Sequence, residues 1–323
     1  MVQCRYKEVM MMTTALQEYS FISDADGLHI SVLRCEPAGQ PQGIVQIVHG
    51  MAEHKERYED FMRFLAEHGY VSVLHDHRGH GKSVKEEADL GYMYNSGGAY
   101  LIDDIRQLNA QLHQEYPTLP VYMFGHSMGS LAVRAYLKRY DDTIDALIVC
   151  GSPSKNPAAG AGRLLARLMM GIKGAHYRSP LLQKMAFGKN CDGFIEECSE
   201  NVWLCSDMDV VRAYDADPLC GYTFTLNGFE NLFSLMQTVY DKKHWTLRNK
   251  HLPIRFIAGK EDPCIISPDK FQEAAGLLQT LGYTAVSARL FEGMRHEILN
   301  EPLHELVYED ILCFLTKAGK KRT

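Results

Sequence analysis

Gly125-His126-Ser127-Met128-Gly129 is the stretch that decides the fold of this chain. It follows the apolar run 121–124 and precedes a segment whose apolar residues have helical spacing, so it joins a predicted strand to a predicted helix. In a GxSxG turn the two glycines remove side chains that would clash, and the serine hydroxyl stands exposed above the sheet. We therefore predict that Ser127 is a nucleophile held in a strained backbone conformation.

A serine nucleophile needs a histidine base and an acid that orients it, and two later loops offer both. Gly259-Lys260-Glu261-Asp262-Pro263 and Gly293-Met294-Arg295-His296-Glu297 each follow a predicted strand. Open α/β sheets gather their sites at the carboxyl ends of strands, so these loops are expected to meet Ser127. We assign Asp262 as the acid and His296 as the base.

Three residues compete for these two roles. Glu261 neighbours Asp262 and carries the same carboxylate, although the following Pro263 restrains Asp262. His304 falls in a predicted closing helix, and His126 directly precedes the nucleophile. Position after the last predicted strand favours His296. The preference for Asp262 over Glu261 rests on Pro263 and on the family resemblance given below.

Acyl transfer also needs hydrogen-bond donors for the negative oxygen of the tetrahedral intermediate. The backbone N–H of Met128, directly after the nucleophile, is the first expected donor. The second comes from the loop after an earlier strand, His49-Gly50-Met51, where Gly50 lets the backbone turn inward. We assign it to the N–H of Met51.

Short β-branched runs alternate with amphipathic segments along the rest of the chain. This alternation predicts a mostly parallel sheet with helices on both faces, opened by an antiparallel hairpin over 19–23 and 29–35. The other predicted strands are 44–49, 71–75, 121–125, 146–151, 254–259 and 285–291. The predicted helices between and after them are 58–68, 100–116, 128–139, 269–281 and 303–317.

The alternation stops between 152 and 251, where helix and loop patterns continue without a convincing strand. We predict a discontinuous core, 17–151 and 252–318, interrupted by a mainly helical cap over 152–251. Residues 1–16 are expected to be a disordered extension, and 319–323 a basic tail. Two interpretations of one apolar group stand side by side: it lines an acyl pocket, or it packs the cap on the core. Its members in the cap are Leu164, Leu165, Leu168, Met169 and Met170.

Composition excludes several classes of protein. The 323 residues contain 34 Lys and Arg against 40 Asp and Glu, a net charge of −6, which argues against a nucleic-acid partner. No segment approaches the roughly 20 apolar residues that span a bilayer, and no secretory signal is visible. Nine scattered cysteines favour reduced thiols and a cytoplasmic location. We predict no metal, and the family resemblance given next implies that no cofactor is needed.

Five motifs together resemble a known family. They are HGMAEHKERY (49–58), DHRGHGKS (76–83), GHSMGS (125–130), GKEDP (259–263) and GMRHE (293–297). In this order they resemble the α/β-hydrolase group that contains monoacylglycerol lipases and bacterial lysophospholipases. The resemblance implies an eight-stranded α/β-hydrolase sheet, a triad of Ser127, Asp262 and His296, and oxyanion donors at Met51 and Met128. It also implies that Glu53, Arg57 and His126 lie near the alcohol leaving group.

These observations predict a serine ester hydrolase that works through an acyl-enzyme. The resemblance favours lipid-like monoesters, either monoacylglycerols or lysophospholipids, with transient contact of the cap with a lipid surface. The alternatives are a short-acyl carboxylesterase and an aminopeptidase of the same fold that holds a substrate ammonium with Glu196, Glu197 or Glu200. A non-catalytic ligand-binding member of the fold is disfavoured, because such proteins commonly lack a triad residue.

Overall fold

A computed structural model describes residues 15–188, 190–194 and 199–320 of the chain. The expected N-terminal extension and the end of the basic tail therefore lie almost entirely outside the described residues, as do Glu196 and Glu197. Within the described part, the last helix continues to Lys320, beyond the predicted core boundary at 318. None of the described helices is long and apolar enough to cross a membrane.

An eight-stranded sheet forms the centre of the molecule. The strands are Leu16–Ile22, His29–Cys35, Gly43–Val48, Tyr70–His75, Val121–His126, Ala146–Cys150, Ile254–Gly259 and Val286–Phe291, numbered β1 to β8. Their order in the sheet is β1-β2-β4-β3-β5-β6-β7-β8. The hairpin of β1 and β2 is antiparallel, β2 pairs antiparallel with β4, and all later pairs are parallel. The predicted mostly parallel sheet is confirmed.

Helices cover both faces of this sheet, as expected when crossovers join parallel strands. The helices of the described residues are Glu59–Glu67, Ala99–Glu115, Met128–Tyr140, Ala159–Lys173, Pro180–Phe187, Met208–Ala216, Leu226–Tyr240, Pro268–Thr280 and His304–Lys320, numbered α1 to α9. The two largest apolar clusters of the described residues lie on opposite faces of the sheet. One packs α3, α7 and α8 against one face of the sheet, and the other packs α1 and α9 against the opposite face.

Four of these helices, α4 to α7, lie between β6 and β7, where the sequence predicts an insertion. Helix α7 is mostly buried, since it lies between α4 and the core helix α3. At the start of α7, Asn227 accepts a hydrogen bond from the N–H of Met93, and Asn231 accepts one from that of Gly98. Polar contacts as well as apolar packing therefore hold this segment on the sheet domain.

The motif 76–83 is a structural turn beside the site. The Asp76 carboxylate accepts hydrogen bonds from the Lys55 backbone N–H, the Lys55 ammonium and the Lys82 N–H, at 2.8, 2.9 and 2.9 Å. Asp76 and the Lys55 side chain are fully buried, and a Cβ at Gly81 would lie 2.3 Å from the Asp76 carboxyl carbon. The carboxylate thus replaces water for a buried lysine and fixes the loop after β4.

Candidate active site

Ser127 occupies the turn between strand β5 and helix α3 with φ 51° and ψ −117°, a conformation that costs energy for any residue other than glycine. Its N–H donates to the carbonyl of Cys150 at the end of the neighbouring strand β6, which helps to hold the turn. The serine lies at the carboxyl edge of the sheet, and the predicted strand-to-helix turn is present. Helix α3 begins directly after it, with its N-terminal amides at the site.

Asp262 and His296 meet at the ends of β7 and β8. His296 Nδ1 lies 2.9 Å from Asp262 Oδ2, and both side chains are almost completely buried. The other oxygen of Asp262 accepts the N–H of Cys264 at 2.8 Å, because Asp262 caps a short 3₁₀ turn that begins with Pro263. One carboxylate oxygen is thus held by its own loop and the other faces the imidazole.

Two of the three competing residues lie away from the cavity that opens over Ser127, and the third, His126, contacts Glu53 on the polar side of that cavity. Glu261 is exposed, and its backbone N–H donates to the carbonyl of Met294. His304 begins helix α9, where its ring contacts the carbonyl of Glu301. The structure therefore brings Asp262 and His296, and neither of these two, to the edge of the sheet where Ser127 lies.

The loop after β3 passes directly beside the nucleophile. A Cβ added at Gly50 would lie 3.1 Å from Ser127 Cβ and 2.5 Å from Glu53 Oε1, so only glycine fits there. Ala52 has a positive φ of 52°, and its carbonyl accepts the Tyr214 hydroxyl at 2.9 Å and the Gly221 N–H at 3.0 Å. Contacts from the inserted segment thus hold the carbonyl of Ala52, the residue that follows Met51. Met128 is the first residue of α3, so its N–H has no intrahelical acceptor.

Glu53 and His126 form the polar side of the site. Glu53 Oε1 accepts the Gly50 N–H at 2.5 Å and the Tyr58 hydroxyl at 3.0 Å, and lies 3.4 Å from His126 Nδ1. Burial favours the neutral acid, but the His126 hydrogen bond and the Arg57 charge outweigh it and hold the pKa of Glu53 well below its usual range. Burial likewise opposes the charged form of His126, but Glu53 raises the pKa of this imidazole.

A cavity of about 660 Å³ opens over Ser127. His296, Met51, Glu53 and His126 line its floor. Its walls come from the inserted segment, in particular Phe187, Trp203, Tyr214 and Tyr222. The indole of Trp203 packs on the His296 ring with centroids 4.9 Å apart, and Phe187 stacks on Trp203 at 6.4 Å. The cavity thus has an aromatic side and a polar side.

The structure separates the two interpretations of the apolar group on α4. Leu164 and Leu168 are exposed, whereas Leu165, Met169 and Met170 pack against the core and are not among the residues that line the cavity. The packing interpretation therefore holds for the last three. The guanidinium of Arg57 is engaged by Glu53 and Glu297 behind the lining of the cavity, and its contact with the leaving group stays a prediction.

The aromatic wall and Glu297 are not among the site residues that the sequence predicts. Phe187 and Trp203 follow no spacing that separates them from ordinary packing residues, so no sequence signal identifies them. Glu297 directly follows His296 in the motif 293–297, and this position alone was a usable signal.

Two groups of side chains come close enough to hold a metal ion, judged over the described residues. They are His54 with Asp217 and Cys220, and Asp262 with Cys264 and His296. In both groups the imidazole already bonds to a carboxylate, His54 to Asp217 at 2.8 Å and His296 to Asp262 at 2.9 Å. These contacts account for the proximity without a metal.

Known proteins share this architecture. Residues 39–303 match the family described as serine aminopeptidase, S33. The chain is 27% identical over 311 residues to a monoacylglycerol lipase of Mycolicibacterium smegmatis, covering 94% of this chain and 99% of the lipase. It is 34% identical to human monoglyceride lipase over 113 residues, 35% of this chain and 36% of the human protein.

Solved structures are similar over nearly the whole chain. A highly thermostable carboxyl esterase from Bacillus coagulans has a TM-score of 0.85 and 28% identity, covering 95% of this chain and 100% of the esterase. A monoglyceride lipase variant from Saccharomyces cerevisiae shares the fold, with a TM-score of 0.70 and 19% identity over 97% of this chain and 99% of the lipase. The chain therefore belongs to the serine aminopeptidase S33 family of serine hydrolases, in the monoglyceride lipase and lysophospholipase group of the α/β-hydrolase fold.

Proposed function

We propose that Ser127, His296 and Asp262 are the catalytic triad of a carboxylic-ester hydrolase. The observation that carries this proposal is the 2.9 Å contact of Asp262 with His296 Nδ1, beside a cavity that Ser127 and His296 both line. Asp262 fixes the tautomer with the proton on Nδ1, so Nε2 is the free base.

The reaction proceeds in two halves. Ser127 Oγ attacks the ester carbonyl carbon while His296 Nε2 takes the hydroxyl proton, and the N–H groups of Met51 and Met128 stabilise the oxyanion. Collapse of the intermediate breaks the bond to the alcohol, which leaves with the proton from His296. Water then attacks the acyl-enzyme with His296 again as base, and the carboxylic acid and Ser127 are released.

The substrate proposed for this site is a lipid-like monoester, such as a monoacylglycerol or a lysophospholipid. Phe187 and Trp203 offer an apolar wall for an acyl chain, and Glu53 and His126 lie on the polar side where an alcohol would leave. Relatives named monoacylglycerol lipase and monoglyceride lipase support this assignment. Arg57 acts behind Glu53 and does not touch the leaving group.

Residues 152–251 serve in this proposal as a cap that shapes the cavity and contacts lipid surfaces. Leu164, Leu168 and Ile172 recur every four residues on α4 and are 59%, 60% and 84% exposed. Residues 158–188 contain five Lys and Arg and no Asp or Glu. Glu230 on α7 pairs with Arg163 and Arg167, so the exposed Lys173 and Lys184 are the cations that suit an anionic lipid surface. The buried thiols of Cys150, Cys205 and Cys220 support the cytoplasmic location.

The experiment compares wild type with Ser127→Ala on p-nitrophenyl esters from acetyl to palmitoyl, monoacylglycerol, lysophosphatidylcholine and a prolyl anilide. We expect the variant to lose on the order of 10⁶-fold in turnover, since the triad acts as a unit. Ser234→Ala is the matched control. Ser234 lies on helix α7, away from the cavity, and its hydroxyl donates to the carbonyl of Gly97. Full activity in Ser127→Ala would reject the mechanism.

The substrate panel separates the remaining alternatives. An optimum at acyl chains of octanoyl or longer, together with monoacylglycerol or lysophospholipid turnover, supports the lipase assignment. An optimum at butyrate or below indicates a short-acyl carboxylesterase. Cleavage of the anilide indicates an aminopeptidase. Of the predicted acids, Glu200 lies within the described residues, and it lines the cavity.

A further inference from the structure

Glu297, the residue after His296, is committed to Arg57 by two parallel hydrogen bonds. Arg57 Nη1 donates to Oε1 at 2.6 Å, and Nη2 donates to Oε2 at 2.7 Å. The side chains of Glu297 and Arg57 are only 5% and 12% exposed, so the pair is largely removed from water. A bidentate pair of this kind fixes orientation as well as distance, because both planar groups must lie in register.

The same guanidinium continues the connection to the oxyanion loop. Arg57 Nη1 also donates to Glu53 Oε2 at 3.0 Å, and Glu53 Oε1 accepts the Gly50 N–H at 2.5 Å. Gly50 directly precedes Met51, the expected oxyanion donor. An unbroken series of buried contacts therefore joins the loop of His296 to the loop of Met51.

Neighbouring groups leave Glu297 and Arg57 little freedom to move. Asn300 Nδ2 donates to Glu297 Oε2 at 3.0 Å, and the Glu297 backbone N–H donates to the carbonyl of Leu204 at 2.7 Å. The guanidinium of Arg57 lies 4.8 Å from the ring centre of Tyr214. Both carboxylate oxygens of Glu297 and both terminal nitrogens of Arg57 are thus engaged within the protein, which favours a supporting role for the pair.

We propose that Glu297 is a positioning residue, which through Arg57 and Glu53 sets the oxyanion loop in register with the catalytic histidine. The inference rests on the proposed function of Ser127 and His296. It assigns Arg57 to support of the site, in contrast to the leaving-group contact that the resemblance implies. Catalysis depends on such register, because an oxyanion donor displaced from the developing charge loses most of its effect.

The test measures Glu297→Gln on a p-nitrophenyl ester and on the glyceryl ester of the same acid. We expect kcat to fall about 10-fold to 100-fold on both esters, somewhat less than the loss of a whole oxyanion donor, while KM changes less than about threefold. The affinity for an alkyl boronic acid, which mimics the tetrahedral intermediate on Ser127, is expected to fall by the same factor as kcat.

Glu301→Gln is the matched control. Glu301 is a buried carboxylate in the same loop, but it accepts from the backbone N–H groups of Arg295 and Ser206, and none of its hydrogen bonds among the described residues reaches the oxyanion loop. We expect it to alter thermal stability more than boronic acid affinity. An equal loss of that affinity in Glu301→Gln would show a general effect of the loop and overturn the proposal.

Arg57→Lys and the Arg57→Lys/Glu297→Gln double variant, together with Glu297→Gln and wild type, form a double-mutant cycle. If both residues act through one bridge, the double variant loses no more kcat than the worse single variant. If Glu297→Gln fails to fold, Glu297→Asp replaces it, since it keeps the charge but shortens the reach.

Two results would reject the positioning role. One is a loss confined to the glyceryl ester, which would mean that these side chains bind the alcohol. The other is unchanged kcat and boronic acid affinity in a folded variant. Failure of the proposed function is a separate result, because it appears as wild-type inactivity or as an active Ser127→Ala variant.

Discussion

Gly129 stands where helix α3 passes closest to the end of strand β3. A Cβ at this position would lie 2.1 Å from the carbonyl oxygen of Val48 and 2.4 Å from that of His49. Both are backbone atoms, so they cannot rotate away as a side chain could. The second glycine of the GxSxG motif is therefore required by the approach of the helix to the strand that carries the oxyanion loop.

We predict that Gly129→Ala destabilises the protein by about 3 kcal/mol, because overpacking against backbone forces α3 away from β3. Urea unfolding measures this loss, and esterase activity is expected to fall with it as the oxyanion loop shifts. Gly171→Ala is the control: Gly171 lies in the exposed interior of α4 with nothing near its virtual Cβ, so alanine there is expected to stabilise by up to about 1 kcal/mol. Equal stability of the two variants would refute the packing argument.

Individual site residues differ in how far sequence alone identifies them. Ser127 is predictable because its motif follows a strand and precedes a helix, and Asp262 and His296 because they follow later parallel strands. The support provided by Glu297 is not, since it arises from a contact with Arg57 across 240 residues of chain. A sequence can place a residue on a loop, but it does not state which distant partner that loop meets.

The secondary-structure elements of the sheet domain were the most predictable level. Buried parallel strands are continuous apolar runs, so β3 to β7 stand out, and their helices follow from amphipathic spacing. The helices between β6 and β7 were harder, because one apolar residue type serves two purposes there. On α4, Leu165 packs on the core while Leu164 faces outward, although both are leucines and count as equally hydrophobic in the sequence.

Helix α4 leads to a prediction at this scale. Its exposed stripe consists of Leu164, Leu168 and Ile172, and the next helix, α5, carries the exposed residues Leu181 and Met185. Apolar residues flanked by cations are typical of segments that lie on membranes. We expect Leu168→Ser/Ile172→Ser to reduce binding to vesicles that contain anionic lipid, measured by co-sedimentation. Turnover of a water-soluble p-nitrophenyl ester is expected to stay unchanged, because neither residue lines the cavity.

Leu306→Ser is the control for that stripe. Leu306 is 49% exposed on helix α9, which packs on the opposite side of the sheet. Its replacement removes exposed apolar surface from another part of the molecule without touching α4. Equal loss of vesicle binding in both proteins would mean that no specific surface contacts the lipid.

At the scale of the whole molecule, the fold buries an unusual number of ionisable groups near the site. Glu53 and Glu297 remain charged because Arg57 and His126 lie beside them. Burial instead favours the neutral form of four histidines around the oxyanion loop. Burial lowers the pKa of His75 to about 3 and that of His80 to about 4, and it holds the pKa values of His49 and His77 well below their usual range.

These lowered pKa values set the direction of the pH dependence. Below the ordinary histidine pKa of about 6.5 the unfolded chain binds protons that the folded protein does not, so stability falls as the pH falls. Each such histidine contributes about 1.4 kcal/mol per pH unit to the slope of the free energy of unfolding in this range. Asp76 and Asp104 act in the opposite direction, because burial raises their pKa values, but the histidines outnumber them. We therefore expect stability to fall steeply between pH 6.5 and 4.

His75 is the position at which this expectation can be isolated. Neither of its ring nitrogens has a hydrogen-bond partner among the residues that the structure describes, so His75→Leu removes the titration without breaking a polar contact. The free energy of unfolding in urea, measured at intervals from pH 7 to 4.5, is expected to have a slope about 1.4 kcal/mol per pH unit smaller in this variant. Identical slopes in His75→Leu and wild type would mean that the folded protein admits the proton at His75, and burial would no longer explain acid sensitivity.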